Sequence, residues 1–273
     1  MLILGHNLQA LRALHANQTA SQSRTELSRE LTTGKRVDQA ADDVAGMAMS
    51  SKFSAQIRGY DQASRNAHDG ISLLQTADAA AENMQNGLMR MRELAIQAAN
   101  DTYSDDDRQT MSLEFQELEA EIAKQLSHTY WNQQNLMNGT AGDAGQMTFV
   151  VGAQGEHSAS IELSDLSATA LSDLRNIEDP ADAISTLASI DESIGVLNAE
   201  RGKWAATINR LEHAASNGNR AVVDQTSSMS TFMDSDYAQS TAELARWMIL
   251  QQSSQAMLSQ ANQRPRIVLA LLR

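Results

Sequence analysis

The sequence predicts a mainly α fold: a long coiled-coil rod of antiparallel helices, a small β-hairpin element and a pair of terminal helices. Two long segments carry apolar residues at alternating steps of three and four residues, which is the spacing of coiled-coil packing. Only two of the 273 residues are proline, so long stretches contain no helix breaker. Aromatic residues make up 4% of the chain, which favours packing of helix on helix over a broad globular core.

The first 33 residues are predicted to form a helix with a thin apolar face. The apolar residues at helical spacing are Leu4, Leu8, Leu11, Leu27 and Leu31. Residues 15–24 are small and polar. A helix with so little apolar surface is marginally stable alone, so we expect it to pack on another helix. Gly34 is placed to end it, because glycine is common just past a helix C-terminus.

The longest periodic segment covers residues 44–100. Its seam consists of Leu74, Ala77, Ala81, Met84, Leu88, Met91, Ala95 and Ala98. A seam sustained for more than three heptads indicates coiled-coil packing, and its alanines allow a close approach of neighbouring helices. Gly59 and Gly70 are the expected points of bending. The residues left on or near the outer side are Arg90, Glu93, Leu94 and Gln97.

The middle of the chain is predicted to hold a third helix and the β-hairpin. The turn "NDTYSDDDR" offers Asp and Ser side chains as caps for a helix over residues 105–127. Its apolar residues are Met111, Phe115, Leu118 and Ile122. We interpret the acidic run at 105–107 as a helix-start cluster, because it lacks the spacing of a calcium-binding EF-hand. "MTFVV" and "SASIEL" then predict a hairpin at about residues 138–165.

The second half carries the strongest heptad pattern, which starts after Pro180. Its apolar seam consists of Leu187, Ile190, Ile194, Leu197, Trp204, Ile208, Leu211 and Ala215. Arg201 is the lone polar residue on this seam, at a kind of position that often fixes register or contacts a neighbour. "SNGN" at residues 216–219 is expected to loosen the helix.

A last helix is predicted at about residues 235–262 and is expected to end at Pro265. Its apolar residues are Leu244, Trp247, Leu250, Met257 and Leu258. The first and last helices both have thin apolar faces. Each is therefore expected to pair with the other or with a helix of another subunit.

Composition excludes several classes of function. The formal net charge is −13, and no Lys/Arg cluster offsets it, so neither nucleic acid nor a membrane surface is expected as a partner. The absence of cysteine excludes disulfides, Cys-ligated zinc and thiol catalysis. We find no nucleophile-elbow, zinc-protease or phosphate-loop motif, and the six histidines are scattered. The sequence therefore predicts no enzyme activity, no metal site and no cofactor.

The N-terminus lacks the basic region and the long apolar run of a secretory signal peptide. No stretch reaches the roughly 18–20 apolar residues of a membrane span. If the protein leaves the cell, we expect another export route.

Six stretches match, in order, long motifs of one protein family. They are "LTTGKRVDQAADDVAGMAMS" (residues 31–50), "SRNAHDGISLLQTADAAA" (residues 64–81), "MRELAIQAAND", "YWNQQNLMNG", "FVVGA" and the end "ILQQSSQAMLSQANQRPRIVLALLR". Together they resemble bacterial flagellin, the filament subunit of the flagellum. The resemblance spans nearly the whole chain and rests on long motifs, so it is specific.

The resemblance implies a subunit that is exported unfolded through the flagellar type III channel, polymerises at the filament tip and serves swimming motility. Residues 1–33 and 235–273 would form the terminal helical domain at the filament core, residues 34–43 and 218–234 the connecting spokes, and residues 44–217 the rod. The variable outer domains of the family are expected to be absent. The terminal helices are expected to fold as neighbouring subunits cover them.

The resemblance also implies partners. They are other copies of this chain or other flagellins, a flagellar export chaperone, the cap protein, hook–filament junction proteins and the host Toll-like flagellin receptor. The positions carried over for the receptor contact, which is also a contact between subunits in the filament, are Arg90, Leu94, Gln97 and Glu114. Two alternatives remain open: a hook–filament junction protein, and a cell-surface flagellin homologue that binds polysaccharide.

Overall fold

The computed structural model describes residues 7–155, 157–166 and 176–271. The helices in these ranges are α1 (Leu8–Thr33), α2 (Val44–Ala98), α3 (Asp105–His128), α4 (Pro180–Met233) and α5 (Tyr237–Leu271). The strands are β1 (Tyr130–Trp131), β2 (Gln134–Asn135), β3 (Gln146–Val150) and β4 (Ser158–Glu162). The predicted mainly α class is confirmed. None of the helices described has an apolar stretch that could cross a membrane.

The chain forms two compact units. The terminal unit comprises Met1–Ala55 and Asp224–Arg273, and the central unit comprises Gln56–Val223. Both boundaries fall inside helices, one in α2 and one in α4. The start of α2 belongs with the terminal unit because it packs against the end of α4, where the Ser54 hydroxyl lies 3.6 Å from the Met229 sulfur.

One hydrophobic core runs through the central unit and joins α2, α3, α4 and the β3–β4 hairpin. The predicted α2 seam is buried along its whole length, from Leu74 to Ala98. On α4 the fully buried seam residues are Ile190, Leu197, Trp204, Leu211 and Ala215. Those that are partly buried against the same core are Leu187, Ile194 and Ile208. The heptad prediction is therefore confirmed for both helices.

Polar contacts show that α2 and α4 run antiparallel. Arg92 Nε of α2 lies 2.7 Å from Asp191 Oδ1 near the start of α4. Earlier on α2, Asp78 Oδ1 lies 2.6 Å from Arg201 Nε and Gln85 Oε1 lies 2.7 Å from Arg201 Nη1. The hydrogen bond that Arg201 donates to Asp78 raises the pKa of Arg201 above its usual value. The lone polar residue on the α4 seam thus contacts a neighbouring helix, as predicted, and holds the register of the pair.

Two glycines of α2 lie where other parts of the central unit approach closely. The helix continues without a break through Gly59 and Gly70. A Cβ at Gly59 would lie 2.6 Å from the carbonyl oxygen of Ala153 in the hairpin turn. At Gly70 it would lie 3.1 Å from Leu211 Cδ1 of α4. Close packing explains both glycines: a Cβ at Gly59 would collide with the backbone, and a Cβ at Gly70 would require Leu211 to move.

"SNGN" does not interrupt α4, so the prediction that it loosens the helix is wrong. The helix is continuous to Met233, through most of the segment assigned to a spoke. A methyl group at Gly218 would lie 3.9 Å from the Tyr60 ring of α2. Packing against α2 therefore outweighs the low helix propensity of Asn and Gly.

The predicted hairpin is confirmed as the antiparallel pair β3–β4, with Thr148 opposite Ser160. Its core side buries Ala159 and Ile161. A second, smaller hairpin, β1–β2, was not predicted. Its turn residues Asn132 and Gln133 have φ values of 45° and 67°. Glycine usually marks such a left-handed turn, and this sequence has none there.

Helix α3 begins with the predicted acidic cluster. Ser104 and Asp107 form a capping box, in which the Asp107 carboxylate accepts hydrogen bonds from the Ser104 hydroxyl and backbone N–H. These bonds lower the pKa of Asp107. Arg108 was missed by sequence reasoning. It is buried, and its guanidinium donates to the carbonyl oxygens of Ala98 and Asn100, which closes the C-terminal end of α2.

In the terminal unit, α1 and α5 pair in antiparallel fashion, as predicted. Gly34 ends α1 with φ 70° and donates its N–H to the Glu30 carbonyl, which confirms the predicted cap. Next to this cap, the Tyr237 hydroxyl at the start of α5 donates to the Leu31 carbonyl at 2.7 Å. The Ser235 hydroxyl donates to Glu30 Oε1 at 2.6 Å.

The prediction that the last helix ends at Pro265 is wrong, because α5 continues to Leu271. Proline removes one backbone hydrogen bond from a helix, but the helix can continue where another donor replaces it. Here the Asn7 side-chain amide donates to the Ala261 carbonyl, one turn before Pro265, at 2.8 Å.

Candidate functional site

A set of large apolar side chains on the terminal helices is exposed to solvent. This terminal apolar surface consists of Leu8, Leu11 and Leu14 on α1 and Met248, Ile249, Leu250 and Met257 on α5. Ile249 is 65% exposed and Met257 is 59% exposed. Apolar residues exposed together on one helix pair are typical of a protein–protein contact.

A groove of about 450 Å³ lies between α1 and α5 beside this surface. On the α1 side, Ala13 and Ala16 line the groove together with Gln9 and Arg12, and Leu250 and Met257 of α5 contribute to the other side. Small residues opposite large apolar ones leave room for the side chains of another helix. The groove thus extends the terminal apolar surface into a concave shape.

The pairing of α1 with α5 covers only part of the residues predicted for polymerisation. Leu27 is buried, and those half-buried are Leu31, Leu244, Trp247 and Leu258. Those exposed are Leu8, Leu11 and Leu250. Leu4 lies outside the described residues. The apolar stripes therefore exceed what one partner helix covers.

Sequence reasoning missed Ile249, the most exposed member of this surface. A signal was present, because residues 247–250 read "WMIL". Four consecutive apolar residues point around more than one side of a helix. A single partner helix cannot cover all of them.

A second candidate surface lies on the central unit and is centred on Arg90. This Arg90 surface consists of Arg90, Glu93 and Gln97 of α2 and Glu114 of α3, all exposed. Arg90 Nε donates to Glu114 Oε1 at 2.9 Å, and Arg90 Nη1 donates to Glu93 Oε2 at 3.0 Å. The hydrogen bonds that Arg90 donates, first to Glu114 and then to Glu93, raise the pKa of Arg90 above its usual value. The guanidinium is thus held in place on an exposed surface.

The expected outer position of Leu94 is wrong, because Leu94 is only 2% exposed and belongs to the core. It follows Gly87 by seven residues, so both lie on the same side of α2. On that side α3 approaches so closely that a Cβ at Gly87 would lie 3.2 Å from Ile122. The buried face of α2 serves both α3 and α4 and is therefore wider than its heptad seam.

Exposed apolar residues accompany the Arg90 surface and were also missed. Met89 and Ile96 on α2 and Leu113 on α3 are all exposed. Leu113 lies two residues from the seam residues Met111 and Phe115, so it points away from the core. An apolar residue at such a position was a readable signal for a contact with another protein.

The chemistry of both surfaces suits protein–protein contact. Exposed leucine, isoleucine and methionine supply area for burial, and the Arg90 ion pairs supply directional polar contacts. Across the residues described, no group of three or more His, Cys, Asp or Glu side chains is placed to hold a metal ion.

Comparison with known proteins identifies one family at both ends of the chain. The family model for the bacterial flagellin N-terminal helical region matches residues 4–142. The model for the bacterial flagellin C-terminal helical region matches residues 187–272. Together these two matches span both terminal helices and most of the central unit.

Similar proteins agree with this match. A flagellin of Halalkalibacterium halodurans is 42% identical over 277 residues, with 100% of both chains covered. A flagellin of Bacillus subtilis is 36% identical, with 99% of both chains covered. The crystal structure of Bacillus cereus flagellin is similar to 56% of this chain and 88% of its own, at 30% identity and a TM-score of 0.53.

Proposed function

The chain belongs to the bacterial flagellin family, and from this premise we propose that α1 and α5 supply the contacts that polymerise it. It is a structural subunit of the extracellular flagellar filament and not an enzyme. It is a short form without the variable outer domains, since relatives of about its own length cover it completely. The similarity to these flagellins does not favour either alternative function, a hook–filament junction protein or a polysaccharide-binding homologue.

The observation that carries this proposal is the terminal apolar surface. Family membership implies self-assembly into a filament, and Ile249, Met257 and Leu8 expose the area that assembly can bury. A filament needs heterologous contacts that do not close into a ring. Terminal helices that offer apolar area beyond their own pairing supply one side of such a contact, and a second copy of the chain supplies the other.

We assign residues 1–33 and 235–273 to the filament core, residues 34–43 and 218–234 to the connecting spokes and residues 44–217 to the rod. Support comes from the antiparallel pairing of α1 with α5 and from the single core shared by α2, α3 and α4. In this assignment the terminal helices fold fully when neighbouring subunits cover them.

Purified protein added to filament seeds should grow smooth helical filaments. Far-UV circular dichroism should report a gain of helix on polymerisation, because a helix with little apolar surface is marginal until a neighbour covers it. Electron microscopy of the same samples shows whether filaments form. Seeds that do not elongate would contradict the proposed function, and filament growth without any gain of helix would contradict folding on assembly.

The exposed apolar residues of α5 also imply partners before assembly. Side chains such as Ile249 and Met257 promote aggregation if they stay uncovered. We propose that an export chaperone covers the chain until it is exported unfolded. The cap protein then receives it at the filament tip, and hook–filament junction proteins contact the first subunits.

The Arg90 surface is the proposed docking site for the host Toll-like flagellin receptor and for contacts between subunits. Arg90, Gln97 and Glu114 are exposed there, and Arg90 is oriented by its carboxylate partners. Leu94 is buried and therefore supports this surface from beneath instead of touching a partner.

Replacing Arg90 by Ala should lower the potency of the monomer on receptor-bearing cells by at least about tenfold, the effect of losing one or two charge-assisted hydrogen bonds at an interface. Arg92→Ala is the matched control. Arg92 lies on the same helix, is 42% exposed against 48% for Arg90, and likewise pairs with a carboxylate, Asp191. Equal potency of the two variants would show that Arg90 does not contribute to the receptor contact.

A further inference from the structure

The side chain of Asn7 makes two hydrogen bonds in opposite directions at the end of the terminal helix pair. Its Oδ1 accepts the backbone N–H of Ala10 at 3.0 Å, which caps the N-terminus of α1. Its Nδ2 donates to the carbonyl oxygen of Ala261 in α5 at 2.8 Å. One carboxamide thus joins the start of one helix to the middle of another.

The carbonyl that Asn7 reaches is the one that Pro265 leaves unpaired. In an α-helix each carbonyl accepts the N–H of the residue four positions later, which for Ala261 is residue 265. Proline has no N–H, yet α5 continues to Leu271. Ala261 is itself buried, and a buried carbonyl without a donor is costly. The Asn7 amide replaces the missing donor.

The Asn7–Ala261 bond and the Tyr237–Leu31 bond hold the two helices at matched positions. From residue 7 to residue 31 is 24 positions along α1, and from residue 237 to residue 261 is also 24 positions along α5. The two bonds therefore lie about 36 Å apart on both helices. A slip of one residue between the helices would break both bonds.

We propose that Asn7 is a positioning residue that fixes the register of α1 against α5 by replacing the hydrogen bond that Pro265 cannot make. The inference deepens the proposed function, because it concerns the helices assigned to polymerisation. Pro265 creates a single unpaired carbonyl in α5, and only the correct register brings the Asn7 donor to it. The register in turn sets which residues of the two helices together form the terminal apolar surface.

Aspartate and serine at position 7 separate the two roles of the side chain. Both can accept the Ala10 N–H and cap α1. Aspartate has no donor, and serine is too short to keep the cap and reach across to α5. Asn7→Asp and Asn7→Ser therefore lose the hydrogen bond to the Ala261 carbonyl, which we call the bridge, while they keep the cap of α1. Only Asn7→Asp adds a charge. Agreement between the two variants excludes a charge effect.

A double-mutant cycle with Pro265→Ala tests the proposal through the critical concentration for seeded filament growth. In the parent background, Asn7→Asp and Asn7→Ser should each raise it about tenfold, which corresponds to about 1.4 kcal/mol. Pro265→Ala restores a backbone N–H that bonds to the Ala261 carbonyl. In that background the same two substitutions should raise the critical concentration by less than about twofold.

Equal effects of the position 7 substitutions in both backgrounds would overturn the bridge. If a variant forms no filaments within the accessible concentration range, the highest concentration tested is used in the cycle as a lower limit on its critical concentration. The parent and Pro265→Ala chains provide the separate test of the proposed function. If they elongate seeds, the proposed function stands whatever the coupling between positions 7 and 265. If they do not, the same cycle is measured by hydrogen exchange of the α5 amides. An effect of the position 7 substitutions that is equal in both backgrounds would again contradict the proposed role of Asn7.

Discussion

Replacing Ile249 and Met257 together by Asp should abolish filament growth at concentrations where the parent chain polymerises, and it should leave the fold of the central unit unchanged. Both side chains are exposed on α5, so the substitutions disturb little within the subunit. In the filament each would bury an apolar side chain worth roughly 1.5–3 kcal/mol. Losing both, and burying charge instead, should raise the critical concentration more than about a hundredfold.

The measurement is seeded elongation followed by light scattering and electron microscopy, with circular dichroism of the unassembled chain to report its fold. The matched control is the double variant Ile249→Val and Met257→Leu, which keeps apolar side chains at both positions and should assemble within about threefold of the parental critical concentration. Growth of the double aspartate variant at the parental critical concentration would show that the polymerisation contacts do not lie on this face of α5.

Most of the central unit could be predicted because its packing is periodic. A heptad seam buries the same side of a helix over many turns, so Leu74 to Ala98 on α2 and Ile190 to Ala215 on α4 could be identified from spacing alone. The cap at Gly34 and a Ser or Asp cap at the start of α3 could also be predicted, because each depends on a residue type at a fixed local position.

The features that could not be predicted from the sequence are those that depend on which segments of the chain meet in space. Leu94 lies outside the seam and is buried only because a third helix approaches at Gly87. Helix α5 continues past Pro265, and the donor to its Ala261 carbonyl is Asn7, more than 250 residues earlier in the chain. Arg108 closes α2 through backbone carbonyls that carry no sequence signal. Each of these features is a tertiary contact of a kind that local propensity does not contain.

The largest loss of stability from a single substitution is expected at Trp204. This residue is 1% exposed and is the largest fully buried side chain described in the structure. It lies on the α4 seam three residues after Arg201, whose contacts with Asp78 and Gln85 hold α4 in register with α2. Replacing Trp204 by Ala would leave a cavity that α2 and α4 cannot close without breaking those contacts. The expected cost is about 3–5 kcal/mol in the free energy of unfolding of the central unit.

Trp204→Phe provides the graded comparison. Within the part of the chain that the structure describes, the indole Nε1 has no hydrogen-bond partner, so phenylalanine loses buried area but no hydrogen bond. It should therefore cost less than half as much as alanine. Ile184→Ala, on the same helix but at a position 60% exposed, should change stability by no more than about 0.5 kcal/mol. Urea unfolding of the unassembled full chain, followed by circular dichroism, measures all three. If Trp204→Ala costs no more than Ile184→Ala, the α4 seam cannot be the element that holds the central unit together, and the heptad interpretation of its stability fails with it.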